Sequence, residues 1–343
     1  MDNKGKVLLT GVNGFLGSHA AIQLLERGYE VIGTLRQLKN ADETRRIIGN
    51  YTKNIDSLQL VEADLMDETV WEKLTAGVDY VQHIASPFPE KVPDNEDELI
   101  QPALKGTLNV LKAAAANHVR RTVITSSLTA IIYGRKGEAR NGTFDETQWT
   151  NTDTKEDITA YFKSKTLAEQ AAWEFMLTDK SGMKLTTVCP AGIIGPVLEN
   201  YYSLSVGLVT TLMDEKNTSI PNVGYDIIDV RSVADLLIKA MESPRAAGQR
   251  YIATAGYLTM HDMGQILQAR YPDRAIHLDL IPDQEIFNKA KTDKNLGPLA
   301  VNLGSVRKVS NAKAISQLGW EPISNKESLI DTAESLLERS LIQ

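Results

Sequence analysis

The stretch LLTGVNGFLGSHA, from Leu8 to Ala20, narrows the folds open to this chain more than any other. It joins a short apolar run to a helical pattern through Gly11, Gly14 and Gly17, spaced three apart. Glycine accepts backbone angles that a side chain forbids and lets another group come close to the amides. A helix starting there points unpaired N–H groups and a partial positive charge at the turn. Such a unit suits a pyrophosphate, with Phe15 and Leu16 opening the helix beside it. The spacing is G-x-x-G-x-x-G rather than G-x-G-x-x-G, so a tight turn without a ligand is the competing reading.

The pattern after the turn alternates short apolar runs with helical ones. Strands are expected at 6–10, 30–35, 58–61, 80–84, 121–125 and 184–189. Helices are expected at 15–27, ending at Gly28 as a left-handed residue, then around 68–74, 96–117 and 158–179. The strands are apolar without strict alternation, as strands buried on both faces are. This predicts an α/β fold, a doubly wound parallel sheet of Rossmann type. The pattern loosens after Pro190 and returns as strand, helix, strand at 225–230, 233–241 and 250–253. We therefore expect a dinucleotide-binding domain over 1–190, with 225–253 returning to it. Residues 191–224 and 254–343 read as a smaller, mostly helical substrate-binding region.

At 343 residues, with 42% hydrophobic, the chain can fill a full core. The net charge of −7 comes with acids and bases mixed and no basic block, which argues against nucleic acid as a partner. No apolar run reaches the length of a membrane span, and the start lacks a signal-peptide pattern. A soluble, cytoplasmic protein is expected. The single cysteine, Cys189, cannot pair within the chain and reads as buried filler. The five histidines fall in no metal motif, so no metal is expected.

The second strand selects the dinucleotide. It ends in Arg36, with Lys39 close behind and no acid at its tip. An arginine suits a 2′-phosphate through bidentate charged contacts, which favours NADP (NADPH) over NAD. Asp42 and Glu43, a few residues on, offer a ribose contact instead and keep NAD open. Asp64, after the third strand, is a candidate acceptor from the adenine amine or, equally, a helix cap.

The chemical signal is TAYFKSK. Tyr161 and Lys165 are four apart on an expected helix and so share a face. A phenol ordinarily titrates near 10, and a neighbouring ammonium favours its ionised form. Such a phenol can give a proton to a carbonyl oxygen or take one from an alcohol. Ser126 and Ser127 follow the fifth strand, at the carboxyl edge where ligands bind in open α/β sheets. A serine there can hold the substrate oxygen beside Tyr161, although serines also cap turns at strand ends.

Together these motifs resemble the extended short-chain dehydrogenases/reductases. TGVNGFLGSH is similar to that family's glycine turn, TSS to its serine strand and YFKSK to its Tyr-x-x-x-Lys. ADL after the third strand, CPAGIIGP after the sixth, DVRSVAD and SNAKAISQLGWEP extend the likeness over almost the whole chain. VQHIASPFP, SSLTAIIYG and YFKSKTLAEQAAW resemble the subgroup of dihydroflavonol reductases, cinnamoyl-CoA reductases and microbial aldehyde/ketone reductases. The resemblance implies Tyr161 as general acid and Lys165 as the holder of the nicotinamide ribose and modulator of the phenol. It implies Ser127, the second serine, as the carbonyl-oxygen ligand. It places Ile84, Ala85 and Ser86 along the cofactor with Leu65, and Pro190 and Ile193 by the nicotinamide. Arg36 matches the subgroup's 2′-phosphate arginine.

There are departures. Leu104 stands where many members carry a proton-relay asparagine, and Asn109 is off register. The plant-type substrate segment is not clearly reproduced after the serine strand. The resulting expectation is an NADPH-dependent reductase of aldehydes and ketones, reversible as an alcohol dehydrogenase. The competing readings are a 3β-hydroxysteroid-type dehydrogenase or another epimerase or dehydratase of the family, and last a non-catalytic dinucleotide sensor. The stretch from Gly195 to Asn217 is apolar, with one lysine and no arginine, which favours an apolar or aromatic carbonyl over a diphosphosugar. Phe88, Tyr133, Tyr201, Tyr202 and Leu204 are candidate pocket walls. The long helices after the fourth and fifth strands pair into dimers in this family, leaving monomer or homodimer open.

Overall fold

The computed structural model describes residues 4–86, 95–200 and 202–342. Phe88 and Tyr201 lie outside the described residues. Seven strands form one sheet: β1 (Lys6–Thr10), β2 (Glu30–Leu35), β3 (Leu58–Glu62), β4 (Tyr80–His83), β5 (Arg121–Thr125), β6 (Lys184–Pro190) and β7 (Gln249–Ala253). Their order is β7-β6-β5-β4-β1-β2-β3, and every pair is parallel. The order reverses between β1 and β4, which opens a crevice at the strands' carboxyl ends.

The apolar runs become strands because both faces of the sheet are covered. Val7 and Leu9 of β1 enter one core cluster, while Leu8 between them enters the other. Residues two apart on a strand share a face, so the alternation serves two cores rather than one core and solvent. Helices α1 (Phe15–Glu26) and α7 (Val230–Glu242) pack together on one side. Helices α3 (Glu68–Thr75), α4 (Asp97–Ala116) and α5 (Ala160–Thr178) form the layer on the other. Helix α2 (Ala41–Gly49), whose cap position Asn40 makes no side-chain hydrogen bond, was not among the expected helices. Gly28 ends the first helical segment at φ +86°, the left-handed conformation expected of it.

The strand Gly224–Asp229 corrects the expected return to the main sheet. It pairs in parallel with Gly192–Ile194 and antiparallel with Tyr257–Thr259, in a separate three-stranded sheet. Only α7 and β7 rejoin the Rossmann layers. The physical reason is the position of Gly192–Ile194, which runs straight out of β6 and offers a fresh edge. The rest of the second region is mostly helical, with α6 (Val206–Met213) and the helices Met260–Arg270 and Asn325–Glu338 around the small sheet. No helix among the described residues is long and apolar enough to cross a membrane.

Candidate active site

The glycine turn sits at the end of β1. Gly11 has φ +72°, where a side chain is strained, and a Cβ there would lie 3.1 Å from Ala85. A Cβ on Gly17 would lie 2.0 Å from the carbonyl oxygen of Gly11, so only glycine lets α1 start this close to the strand. Gly14 caps α1 with no side-chain partner, and the first turn carries no acid. The amides and the positive end of the helix thus face the crevice with nothing anionic from α1 competing for them. Arg36 and Lys39 are exposed just past β2. These residues fit a dinucleotide phosphate group.

Thr10 fastens the next segment. Its hydroxyl accepts from the amides of Ile84 and Ala85, each at 3.0 Å, and lies 2.9 Å from Nδ1 of buried His83. With both lone pairs engaged, the hydroxyl donates to Nδ1, so the imidazole proton belongs on Nε2. Burial lowers the His83 pKa to about 3, assisted by the charge of Lys165, and the ring is neutral at working pH. Gly106 of α4 lets Leu65 approach closely, since a Cβ there would lie 2.9 Å from that of Leu65.

Tyr161 and Lys165 stand one turn apart near the start of α5. Thr159 caps this helix by accepting from the amide of Phe162. Both side chains keep partial exposure to the crevice. Burial nevertheless raises the Tyr161 pKa to about 12, and a hydrogen bond with Ser127 draws it back. The ammonium effect expected on this phenol is not among the causes. The phenol is held protonated, the form a proton donor needs. Burial lowers the Lys165 pKa to about 8, opposed by the negative charge of Glu169.

The two serines divide their work. Ser127 reaches Tyr161 and accepts from the amide of Thr129 at 3.2 Å. Ser126 is buried and donates to Glu169 Oε2 at 2.6 Å. Burial pushes the Glu169 carboxyl up, but the charge and hydrogen bonds of Arg250, with those of Ser126 and Thr187, outweigh it and hold it below its ordinary value. Glu169, Arg250 and His83 went unread in the sequence. Glu169 shares the face of Tyr161 and Lys165 at a further four-residue step, a signal that was available; Arg250, far along the chain, gave none.

Other expected residues take definite places. Asp64 accepts from the amide of Met66 at 2.8 Å and closes a turn, whereas the cap of α3 is Asp67. Asp42 and Glu43 occupy the first turn of α2, where carboxylates complement the helix dipole. Ile84, Ala85, Ser86 and Ile193 are half-buried along the carboxyl edge, and Pro190 is buried at the end of β6. Phe15 and Leu16, the first residues of α1, are buried. Tyr133 is a correction: its ring stacks on Phe162 at 3.9 Å and its hydroxyl donates to Asn302, so it is core rather than pocket wall. Tyr202 is half-buried and Leu204 is exposed. Burial raises the Cys189 thiol well above its ordinary value, so it is no thiolate nucleophile. Among the described residues no group of three or more His, Cys, Asp or Glu converges as a metal site.

Residues 7–254 match the NAD dependent epimerase/dehydratase family. The chain belongs to this family. It is an extended short-chain dehydrogenase/reductase with oxidoreductase relatives. The chain is 33% identical to a cinnamoyl-CoA reductase (CAD2) of Medicago truncatula, over 98% of this chain and 97% of that protein. It is 31% identical to the NADPH-dependent methylglyoxal reductase GRE2 of Saccharomyces cerevisiae, over 97% of this chain and 98% of the relative. The crystal structure of yeast methylglyoxal/isovaleraldehyde reductase Gre2 complexed with NADPH superposes with a TM-score of 0.79 at 28% identity, covering 98% of this chain and 100% of the other. Within this epimerase/dehydratase member, Leu104 is half-buried on α4 and Asn109 donates to the carbonyl of Leu65 at 2.9 Å. Asn109 therefore fastens the turn after β3.

Proposed function

We propose that this protein is an NADPH-dependent carbonyl reductase that converts aldehydes or ketones to alcohols, reversibly. The observation that carries the reading is the hydrogen-bonded pair of Ser127 and Tyr161 hydroxyls at the crevice, with Lys165 one turn along. NADPH-dependent reductases among the relatives support the cofactor, and Arg36 and Lys39 at the tip of β2 suit its 2′-phosphate. The glycine turn would hold the pyrophosphate, with Leu65, Asp64 and the Ile84–Ser86 segment along the adenosine side and Pro190 and Ile193 toward the nicotinamide. When bound, the reduced nicotinamide supplies a hydride to the carbonyl carbon.

Ser127 orients the carbonyl oxygen and lowers the cost of negative charge building on it. Tyr161 gives that oxygen its phenolic proton, completing the alcohol. Lys165, as an ammonium, would engage the ribose hydroxyls and hold positive charge on the turn next to the phenolate left behind. In the oxidative direction the same phenolate takes the proton from the alcohol. The half-buried setting of the pair limits water, which strengthens each of these interactions.

The test pairs purified protein with NADPH or NADH and a panel of aryl ketones, aldehydes and a 3-ketosteroid, following the reduced nicotinamide absorbance. Turnover with NADPH is expected on aldehydes or ketones. Tyr161→Phe is expected to lower it by about 100-fold or more while still binding NADPH. Full turnover in that variant overturns the proton-donor role. Turnover confined to the steroid would assign the substrate to the dehydrogenase branch instead.

A further inference from the structure

We propose that Glu169 is a positioning residue for this site: its buried carboxylate ties the helix bearing Tyr161 and Lys165 to the Ser126–Ser127 turn and keeps the Lys165 ammonium charged. The inference rests on the reading of Tyr161 and Lys165 given above and adds a third member to their helix face. Positions 161, 165 and 169 follow one another at four-residue steps, so the three side chains stack along one side of α5.

The carboxylate joins four parts of the fold. From β5 it receives Ser126 Oγ at 2.6 Å, and from β6 Thr187 Oγ1 at 2.7 Å. From β7 the Arg250 guanidinium donates through Nε at 2.8 Å and Nη2 at 3.1 Å. From its own helix Trp173 Nε1 lies at 3.3 Å. Arg250 in turn donates to the carbonyls of Glu146 and Gln148 and lies 3.6 Å from the ring of Trp149. Ser126 precedes the serine that meets Tyr161. A shift of α5 against β5 would therefore break the carboxylate's bonds and the Ser127–Tyr161 contact together.

Stability alone does not call for such a cluster. Replacing a buried ion pair with hydrophobic residues of similar volume is often neutral or stabilising. What apolar residues cannot do is hold a cation on the neighbouring turn. A cavity of about 20 Å³ is lined by both Lys165 and Glu169, and also by His83, Thr107, Thr125 and Ser126. That is room for one water, and its walls offer several polar groups. The polar groups that share this cavity with Lys165 are Glu169 from α5, His83 from β4, Thr107 from α4, and Thr125 and Ser126 at the end of β5, with Ser86 beyond β4. Arg250 stands behind Glu169, as does the protonated thiol of Cys189. His83 is neutral across the working range, so Glu169 is the negative charge that supports the ammonium.

The experiment compares the whole protein with Glu169→Gln, with Glu169→Gln/Arg250→Met, and with Tyr161→Phe. Two readouts are taken: the pH dependence of kcat/KM with NADPH and the best carbonyl of the panel, and the titration of the Lys165 side-chain amine by nitrogen-15 NMR in cofactor-free protein. The reductive rate needs the ammonium, so it is lost as pH rises through the Lys165 midpoint. In Glu169→Gln both the alkaline limb and the NMR midpoint are expected to fall by about one pH unit, because Arg250 is left uncompensated as well. In the double variant both fall by less, since the nearer negative charge and the farther positive one go together. Unchanged midpoints in the folded variants overturn the proposal. If the single variant does not fold, the double variant decides. Loss of turnover in Tyr161→Phe with unmoved Lys165 midpoints would refute this inference and spare the proposed function. Full turnover in Tyr161→Phe would refute the function, while the cofactor-free titration still judges Glu169.

Discussion

Arg36 is the side chain we propose to set cofactor choice. It is exposed at the tip of β2, where no acid precedes it, and Lys39 reinforces the positive charge. A charge-assisted hydrogen bond contributes roughly 1.5–3 kcal/mol. Arg36→Ala is therefore expected to weaken NADPH about tenfold or more while leaving NADH nearly unchanged, read by fluorescence titration of each. Equal weakening of both would remove the 2′-phosphate role. Individual residues were legible where their chemistry is local. The shared helix face of Tyr161 and Lys165 and the tight turn at the three glycines could be read ahead because helix spacing and turn geometry act over a few positions. Asp64 was ambiguous for the opposite reason: the same carboxylate can cap a helix or close a turn, and the backbone path after β3 chose the turn.

At the scale of elements, α5 carries Tyr161 and Lys165, the pair we propose as catalytic, and its start is held by one cap. Thr159, two residues before Tyr161, accepts from the amide of Phe162. Thr159→Ala is expected to cost about 1 kcal/mol in denaturant unfolding and to lower kcat more than it raises KM. Reduced stability with unchanged kcat would show that fraying here does not reach the phenol. Strand limits were legible almost to the residue, because apolar runs bounded by polar ones record burial directly. Partners of strands were not. Gly224–Asp229 has the same apolar character as a main-sheet strand, yet pairs with Gly192–Ile194. Hydrophobic pattern states that a strand is buried, not which edge it meets.

For the whole molecule, two buried histidines link stability to pH. Burial lowers His19 to about 4, partly offset by its contact with the Pro196 carbonyl, and lowers His83 to about 3. The unfolded chain titrates its histidines near 6.5, so between that pH and these values the unfolded state binds more protons than the folded one. Stability is thus expected to be full above about 6.5 and to fall on acidification by roughly 1.4 kcal/mol per histidine per pH unit, measured by denaturant unfolding from pH 7 to 5. His83→Gln should halve the slope; an unaltered slope would exclude His83 as a source. The doubly wound sheet, the tight glycine turn and the shared helix face of Tyr161 and Lys165 were legible in the order of residues, because each depends on periodicity or spacing within a short segment. The tertiary structure alone decided that Ser127 meets Tyr161 while Ser126 turns to Glu169, that Tyr133 is core, and that Arg250 stands behind α5. Those outcomes join residues as many as 169 positions apart, as Tyr133 and Asn302 are, and only tertiary packing brings such groups within reach.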